Sequence, residues 1–345
     1  GSESAAANAY WGDAMTAIPY RHPAVSGNFG QRWRARLRKW APGSNHALKD
    51  NHAIDDWFDL GIREHWEKLV HQFKPDVVIA HYVWMSKALQ WTPDSVLKII
   101  DTHDRFADRY NVARRAGKPN DWFSCNLRQE IRGLLRADRV LAISEEDQRF
   151  FGEELGLDSV YHPPVTPVDP QLAKPDDGRV LFIGNRNAAN AAAVEWFLEN
   201  CWERIRNELP EAVLALAGSV GSAVNASPDD GVEVLGFCDD LRGEYGRCSV
   251  AINPVASGSG IAIKCLEAVS HQRPVVATRE GARGLDEFVG SAVFVEDDPE
   301  MFARRVLHLM KGRDQWEVAS QSCAELLGNW NQLSSEHLLN ALESR

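Results

Sequence analysis

No apolar run in this 345-residue chain approaches the ~18 residues that a membrane span needs, and the opening residues, GSESAAA, lack the basic and apolar blocks of a secretory leader. The expected compartment is therefore the cytoplasm. Cysteine is scarce. The six residues (Cys125, Cys201, Cys238, Cys248, Cys265 and Cys323) form no CxxC pair and no His-flanked zinc spacing, so they read as reduced packing residues. Basic charge is also short: 38 Lys and Arg stand against 49 Asp and Glu, a formal net of −11. That excludes a general nucleic-acid binder, whose phosphate contacts need a basic face. Internal repeats and low-complexity tracts are absent.

What remains is 44% hydrophobic and 25% charged, the composition of a chain that buries a full core. At roughly 150 residues per domain, the length suggests two domains. The charge is unevenly divided: residues 1–177 hold 23 basic and 25 acidic groups, and residues 178–345 hold 15 and 24. Arg32, Arg34, Arg36, Arg38 and Lys39 concentrate positive charge in one short stretch.

In the second half, apolar runs alternate with helical stretches as a doubly wound parallel sheet requires. The runs are 179–184 (RVLFIG), 213–218 (VLALAG), 232–237 (VEVLGF), 250–255 (VAINPV), 273–278 (RPVVAT) and 292–295 (AVFV). Helices are expected over roughly 188–208, near 261–270 and over 315–345. The first half carries runs at 76–80 (DVVIA), 96–101 (VLKIID) and 139–144 (RVLAIS), with a weaker one at 14–18. Five prolines in 162–177 mark a hinge, giving domains 1–177 and 178–345. The expected class is α/β, with two Rossmann-like domains facing each other across a cleft. Ligands of open parallel sheets bind beyond the carboxyl ends of the strands, so function is sought in those loops.

The densest such loop is in residues 253–285, NPVASGSGIAIKCLEAVSHQRPVVATREGARGL. A strand is followed by a Ser-Gly-Ser-Gly turn and a helix opening near Gly260. Backbone N–H groups at Gly258, Ser259 and Gly260 and the helix dipole would suit a diphosphate. Lys264 and Glu267, one turn apart, could add a charge for the phosphate and a carboxylate for two ribose hydroxyls, or form a surface pair. The segment resembles the donor-site signature of GT-B glycosyltransferases of the family 4 type (glycosyl transferases group 1). The resemblance extends through GFCDDL at 236–241 and FIGNR at 182–186, with Asn190 and WFL at 196–198. It implies a nucleotide-diphosphate sugar as donor substrate, with no cofactor. By the same resemblance, Arg186 and Lys264 contact the diphosphate, Gly184 and Asn185 line the turn beside it, and Glu267 binds the ribose. Gly284 and Leu285 line the sugar and phosphate pocket. Ser259 stands where the family carries the first glutamate of a pair, which leaves the sugar open.

In the first half, 99–109 (IIDTHDRFADR) delivers Asp101, His103 and Asp104 to a strand end. The family places a catalytic or sugar-contacting histidine at the corresponding position, which His103 matches. Imidazole can hydrogen-bond a sugar hydroxyl and stabilise charge at the anomeric carbon. Asp101 or Asp104 would orient it, or would merely satisfy it. His81, after the preceding strand, is a second acceptor-side candidate, with Arg105 and Arg109 on the following helix. The pairs Asp239-Asp240, Asp176-Asp177 and Asp297-Asp298 are adjacent rather than spaced as ligands. Residues 101–104 could ligate a metal, but the basic residues offer the charge a metal would supply, so no metal is expected. The stretch from Gln31 to Trp40 (QRWRARLRKW) reads either as a cationic interfacial helix contacting an anionic inner leaflet or as a helix docking its tryptophans on its own domain. Residues 1–30 supply no strand and Gly-rich turn of the kind that opens the family's N-terminal domain, so the reading is that a first strand–helix unit is missing, or that the domain is divergent or embedded in a longer protein.

These readings imply a retaining hexosyltransferase-type enzyme acting on a glycan or lipid-linked acceptor in polysaccharide or glycoconjugate synthesis. It would be cytoplasmic or peripheral at the inner face of the membrane. A nucleotide-sugar epimerase of the same architecture and a catalytically silent binding module are the alternatives.

Overall fold

A computed structural model of the protein describes residues 52–107, 109–115, 123–169, 175, 178–225, 227–257 and 260–343. The strand expected at 14–18, the rest of residues 1–30, the basic stretch 31–40, and Gly258 and Ser259 all lie outside the described residues. Two compact units divide the chain. One runs to Ala142 and includes Glu146–Val160; the other takes Ile143–Glu145 and Tyr161–Glu343.

The N-terminal unit holds a four-stranded sheet in the order β1-β2-β3-β4: β1 (Val77–His81), β2 (Leu97–Asp101), β3 (Arg139–Ala142) and β4 (Ser159–Tyr161). β1 pairs with β2, and β2 with β3, in parallel. The three expected runs are the first three strands. β4 is only three residues long and carries too little pattern to be read in advance. Ile54, Trp84, Ile100, Phe106, Phe123 and Phe151 lie in one buried cluster around this sheet. At ~1.5–3 kcal/mol for each fully buried large apolar side chain, this cluster is the unit's main source of stability.

The C-terminal unit holds six parallel strands in the order β10-β9-β8-β5-β6-β7: β5 (Arg179–Ile183), β6 (Val213–Ala217), β7 (Val232–Gly236), β8 (Val250–Asn253), β9 (Val275–Ala277) and β10 (Val293–Val295). Helices cover both faces of a doubly wound sheet, so its inner strands are buried along their length and read as unbroken apolar runs. The sequence order reverses between β5 and β8. At such a switch point the chains leaving two neighbouring strands diverge and open a crevice beyond their carboxyl ends. The expected helix over 188–208 is Ala188–Phe197, a π turn Leu198–Trp202 and Glu203–Glu208; the C-terminal helix is Arg313–Glu343.

The proline stretch is not a free hinge in its described part. The units divide at Tyr161 rather than at 177. Pro164 and Thr166 are strapped to the C-terminal helix: Trp330 Nε1 donates to Pro164 O at 2.9 Å, and Asn331 exchanges hydrogen bonds with Thr166 at 3.0 and 2.7 Å. Asp169 N–H donates to Ser270 O, and Asp169 Oδ2 meets both His271 Nδ1 and Arg242 Nε at 2.9 Å. Prolines remove backbone donors, but these carbonyls and side chains still dock the segment.

The chain leaving β5 depends on a close approach at Gly218, after β6. Its φ of 84° and ψ of −170° suit glycine alone, and a Cβ there would lie 2.4 Å from the Gly184 carbonyl oxygen. Gly236 has a similar φ of 68° but open space around the missing Cβ. Gly218→Ala is expected to cost about 3 kcal/mol or more and Gly236→Ala only about 1 kcal/mol. Urea denaturation at unchanged slope measures both, and equal losses would contradict this account of the turn.

Candidate functional site

In the C-terminal unit, the switch point gathers the chain after β5 and the chain after β8. Asn187 caps the helix Ala188–Phe197: its side chain accepts from Asn190 N–H at 2.8 Å. Asn190, itself buried, turns its amide back, donating to both Asn185 O and Asn185 Oδ1 at 3.0 Å. The turn 185–187 is thereby fixed, with Arg186 exposed and its backbone N–H donating to Ser219 Oγ at 3.0 Å.

The helix after β8 supplies the other half. It does not open at Gly260 but at Ile263: Gly260 has a φ of 68°, and Ala262 N–H donates to Arg283 O. The first helical turn therefore starts three residues later than expected. Lys264 lies on that turn, and its Nζ donates to Asn190 Oδ1 at 2.7 Å and sits 4.6 Å over the Phe182 ring. It does not pair with Glu267. Burial pushes the Lys264 ammonium down to about 8, and no carboxylate offsets that burial among the described residues. A small cavity beside it is lined by Leu181, Ile183, Tyr245 and Cys265.

Glu267 has a partner that the sequence did not reveal. Fully buried Tyr245 lies close to it, and burial followed by the Glu267 charge pushes that phenol well above its ordinary range. Tyr245 stacks on His271 at 4.4 Å, and His271 Nδ1 meets Asp169 Oδ2 at 2.9 Å. Tyr245 is the buried residue of the helix Leu241–Arg247. Gly284 takes a φ of 74° against Ile261. Leu285 is fully buried in the core cluster with Phe288 and Trp330, so its side chain supports the loop from beneath rather than lining a pocket.

In the N-terminal unit, the parallel register sets His81 directly beside Asp101 at the carboxyl ends of β1 and β2. His103 follows with a φ of 58°, rare for a non-glycine residue, and its ring stacks on Tyr82 at 4.4 Å. His81 Nδ1 lies 3.1 Å from Asp101 Oδ2 and 3.0 Å from His103 Nε2, which is itself 3.5 Å from Asp101 Oδ2. The hydrogen bond that His81 donates to Asp101 raises the His81 pKa above its ordinary value against the opposing effect of burial. Burial pushes the Asp101 carboxyl up, but the His81 hydrogen bond and the charges of both imidazoles outweigh it, leaving it low. The ligating atoms of these three residues lie within 4.8 Å of one another, the spacing of a metal-binding group.

The remaining N-terminal candidates are placed differently from expectation. Asp104 does not orient His103; it pairs with Arg109 at 2.9 Å. Arg105 precedes the helix Arg109–Arg115 rather than lying on it, and its guanidinium sits 4.4 Å over Phe150. The loop between is held by Glu130, a buried carboxylate that accepts from Phe106 N–H and Ala107 N–H at 2.7 Å. Burial, opposed by those two bonds, pushes the Glu130 carboxyl up to about 7.

Residues 177–312 match the family model described as Glycosyl transferases group 1. A Klebsiella pneumoniae protein described as an uncharacterized 44.6 kDa protein in the cps region is 26% identical over 38% of this chain and 37% of its own. Two solved structures share the fold. A variant of S. aureus TarM in complex with Fondaparinux, alpha-GlcNAc-glycerol and UDP has a TM-score of 0.61 at 10% identity, covering 81% of this chain and 58% of that one. The pneumococcal O-GlcNAc transferase GtfA in complex with UDP and GlcNAc has a TM-score of 0.57 at 12% identity, covering 81% of this chain and 60% of that one. The chain thus spans less than two thirds of these proteins. Residues 177–312 are similar to the glycosyl transferases group 1 family, and the chain has the GT-B fold of two Rossmann-like domains.

Proposed function

We propose that this chain is a glycosyltransferase that moves a sugar from a nucleotide-diphosphate donor to a glycan or lipid-linked acceptor, with retention of anomeric configuration, in the assembly of a cell-surface polysaccharide or glycoconjugate. The observation that carries this reading is a part-buried ammonium, Lys264, that has no carboxylate partner among the described residues and stands at the switch point of the C-terminal sheet. Such a group is stabilised by an incoming anion, and a diphosphate brings two phosphate charges. Lys264 and Arg186 take the leaving diphosphate together with the turn that ends at Gly260. Glu267, beside Tyr245, takes the ribose diol. Gly184, Asn185 and Gly284 allow backbone to approach the donor.

His103, with His81 and Asp101 beside it, is the N-terminal unit's candidate for contacting the sugar. Asp104, Arg105 and Arg109 are its candidates on the acceptor side. The basic stretch 31–40 is the proposed contact with an anionic inner leaflet. Support comes from the UDP complexes of the structural neighbours and from the cps (capsule) region that houses the Klebsiella relative.

A thermal-shift screen of UDP and other nucleotide sugars identifies the donor, since a ligand that binds only the folded state raises its stability. With that donor, Lys264→Ala is expected to lower turnover by ~10²-fold or more, the loss of an electrostatic contact to the leaving group. Turnover near that of the unaltered chain would contradict the role.

The same lysine makes a second prediction, in the absence of ligand. Its charged form is disfavoured in the folded chain by the drop from 10.5 to about 8. At neutral pH, below both values, that cost is present in full. Lys264→Met keeps the packing on Phe182 and loses one hydrogen bond, so it is expected to stabilise the chain by about 2 kcal/mol. Between pH 8 and about 10.5 the unfolded chain retains a proton that the folded chain has lost, so the advantage of the variant shrinks as pH rises. Denaturation curves of both proteins across this range measure the difference; a variant less stable than the parent at pH 7 would contradict the assignment.

A further inference from the structure

We propose that His81, Asp101 and His103 bind a divalent first-row transition-metal ion, through His81 Nδ1, Asp101 Oδ2 and His103 Nε2, at the carboxyl ends of β1 and β2. The three atoms converge with separations of 3.0, 3.1 and 3.5 Å. Ligands placed ~2.1 Å from one ion at tetrahedral or octahedral angles stand roughly 3.0–3.4 Å apart, so a single ion fits between them with little movement.

Hydrogen bonding alone does not satisfy the cluster. His81 Nδ1 carries either one hydrogen or one lone pair, yet it faces two acceptor-capable atoms at close range. If it carries the hydrogen, that hydrogen serves Asp101 or His103, and the other contact is left without one. If it carries the lone pair, it opposes the Asp101 carboxylate at 3.1 Å. A cation at the shared centre attracts all three atoms together.

The donor set narrows the ion. Two imidazoles and one carboxylate suit Zn²⁺, Fe²⁺, Co²⁺ or Ni²⁺ better than Mg²⁺ or Ca²⁺, which prefer all-oxygen shells. The backbone around the cluster is tied together locally: Tyr82 stacks on His103, and Tyr82 N–H donates to the Asp101 backbone O at 2.8 Å. His81 is largely exposed and His103 partly so, which leaves coordination positions open to a water, a hydroxyl or a phosphate oxygen. The ion would occupy the His103 nitrogen that the glycosyl-transfer reading assigns to a sugar hydroxyl, so Nε2 serves one of these roles at a time.

The test needs neither donor nor acceptor, so its outcome is independent of whether the chain transfers sugar. The metal-stripped full chain is titrated with Co²⁺ and followed by its visible d–d absorption, with Zn²⁺ and Mg²⁺ as competitors. Saturable one-to-one binding is expected, displaced by Zn²⁺ and not by Mg²⁺. His81→Ala, Asp101→Asn and His103→Ala should each weaken it beyond the roughly 10–100-fold that loss of a merely supporting partner costs. In the unaltered protein, ¹⁵N-histidine spectra of the Zn²⁺ form should show His81 coordinated through Nδ1 and His103 through Nε2, a readout that does not depend on any variant folding. Absence of binding, binding that survives all three substitutions, or unperturbed nitrogens on these two histidines would overturn the proposal.

Discussion

The hydrogen bond from Lys264 Nζ to Asn190 Oδ1, 2.7 Å long, joins the two helices that leave β5 and β8 at the point where strand order reverses. The polar turn after β5 is tied to the second helix through it. Asn190 in turn fixes Asn185, Asn187 caps the helix behind it, and Arg186 is presented outward. The bond is made to a neutral amide, and no carboxylate among the described residues supplies a counter-charge. An internal salt bridge would have stabilised the folded chain more and left less to offer a ligand. The arrangement is therefore costly in isolation and favourable with an anion in place, the usual balance at a binding site.

The N-terminal unit reaches a comparable concentration of polar groups by another route. Parallel register alone sets His81 against Asp101, and a positive φ at His103 brings a second imidazole back to the same point. The loop that follows is secured by the Glu130 carboxylate, which accepts two backbone N–H groups from the far side. Both units thus build rigid strand ends first and hang reactive side chains on the loops between them.

Strands β3, β5, β6, β8 and β9 are legible in the sequence because burial along their length leaves unbroken apolar runs, while the half-exposed β1 and β7 still show short β-rich segments. β4 is too short for any period to show. The strand before Lys264 and the helix that carries it are legible in the sequence, whereas the true helix start at Ile263 depends on the Ala262 bond to Arg283, a contact between distant residues. Distance along the chain also hid the partners that matter most. His81 and Asp101 are brought together by strand register, and Tyr245 reaches Glu267 only through tertiary packing. Asp104, next to His103 in sequence, instead pairs with Arg109. The proline stretch was read as a hinge from composition, which records missing donors but not the carbonyls and side chains that dock it.

The account places a nucleotide diphosphate at the switch point of the C-terminal sheet. Amide hydrogen exchange with and without UDP tests that placement directly, because bound ligand slows exchange where it orders or shields backbone N–H groups. Slowed exchange is predicted in residues 185–190 and 260–267, with the strands of the sheet unchanged. Protection confined to other parts of the chain, or none at saturating UDP, would contradict it.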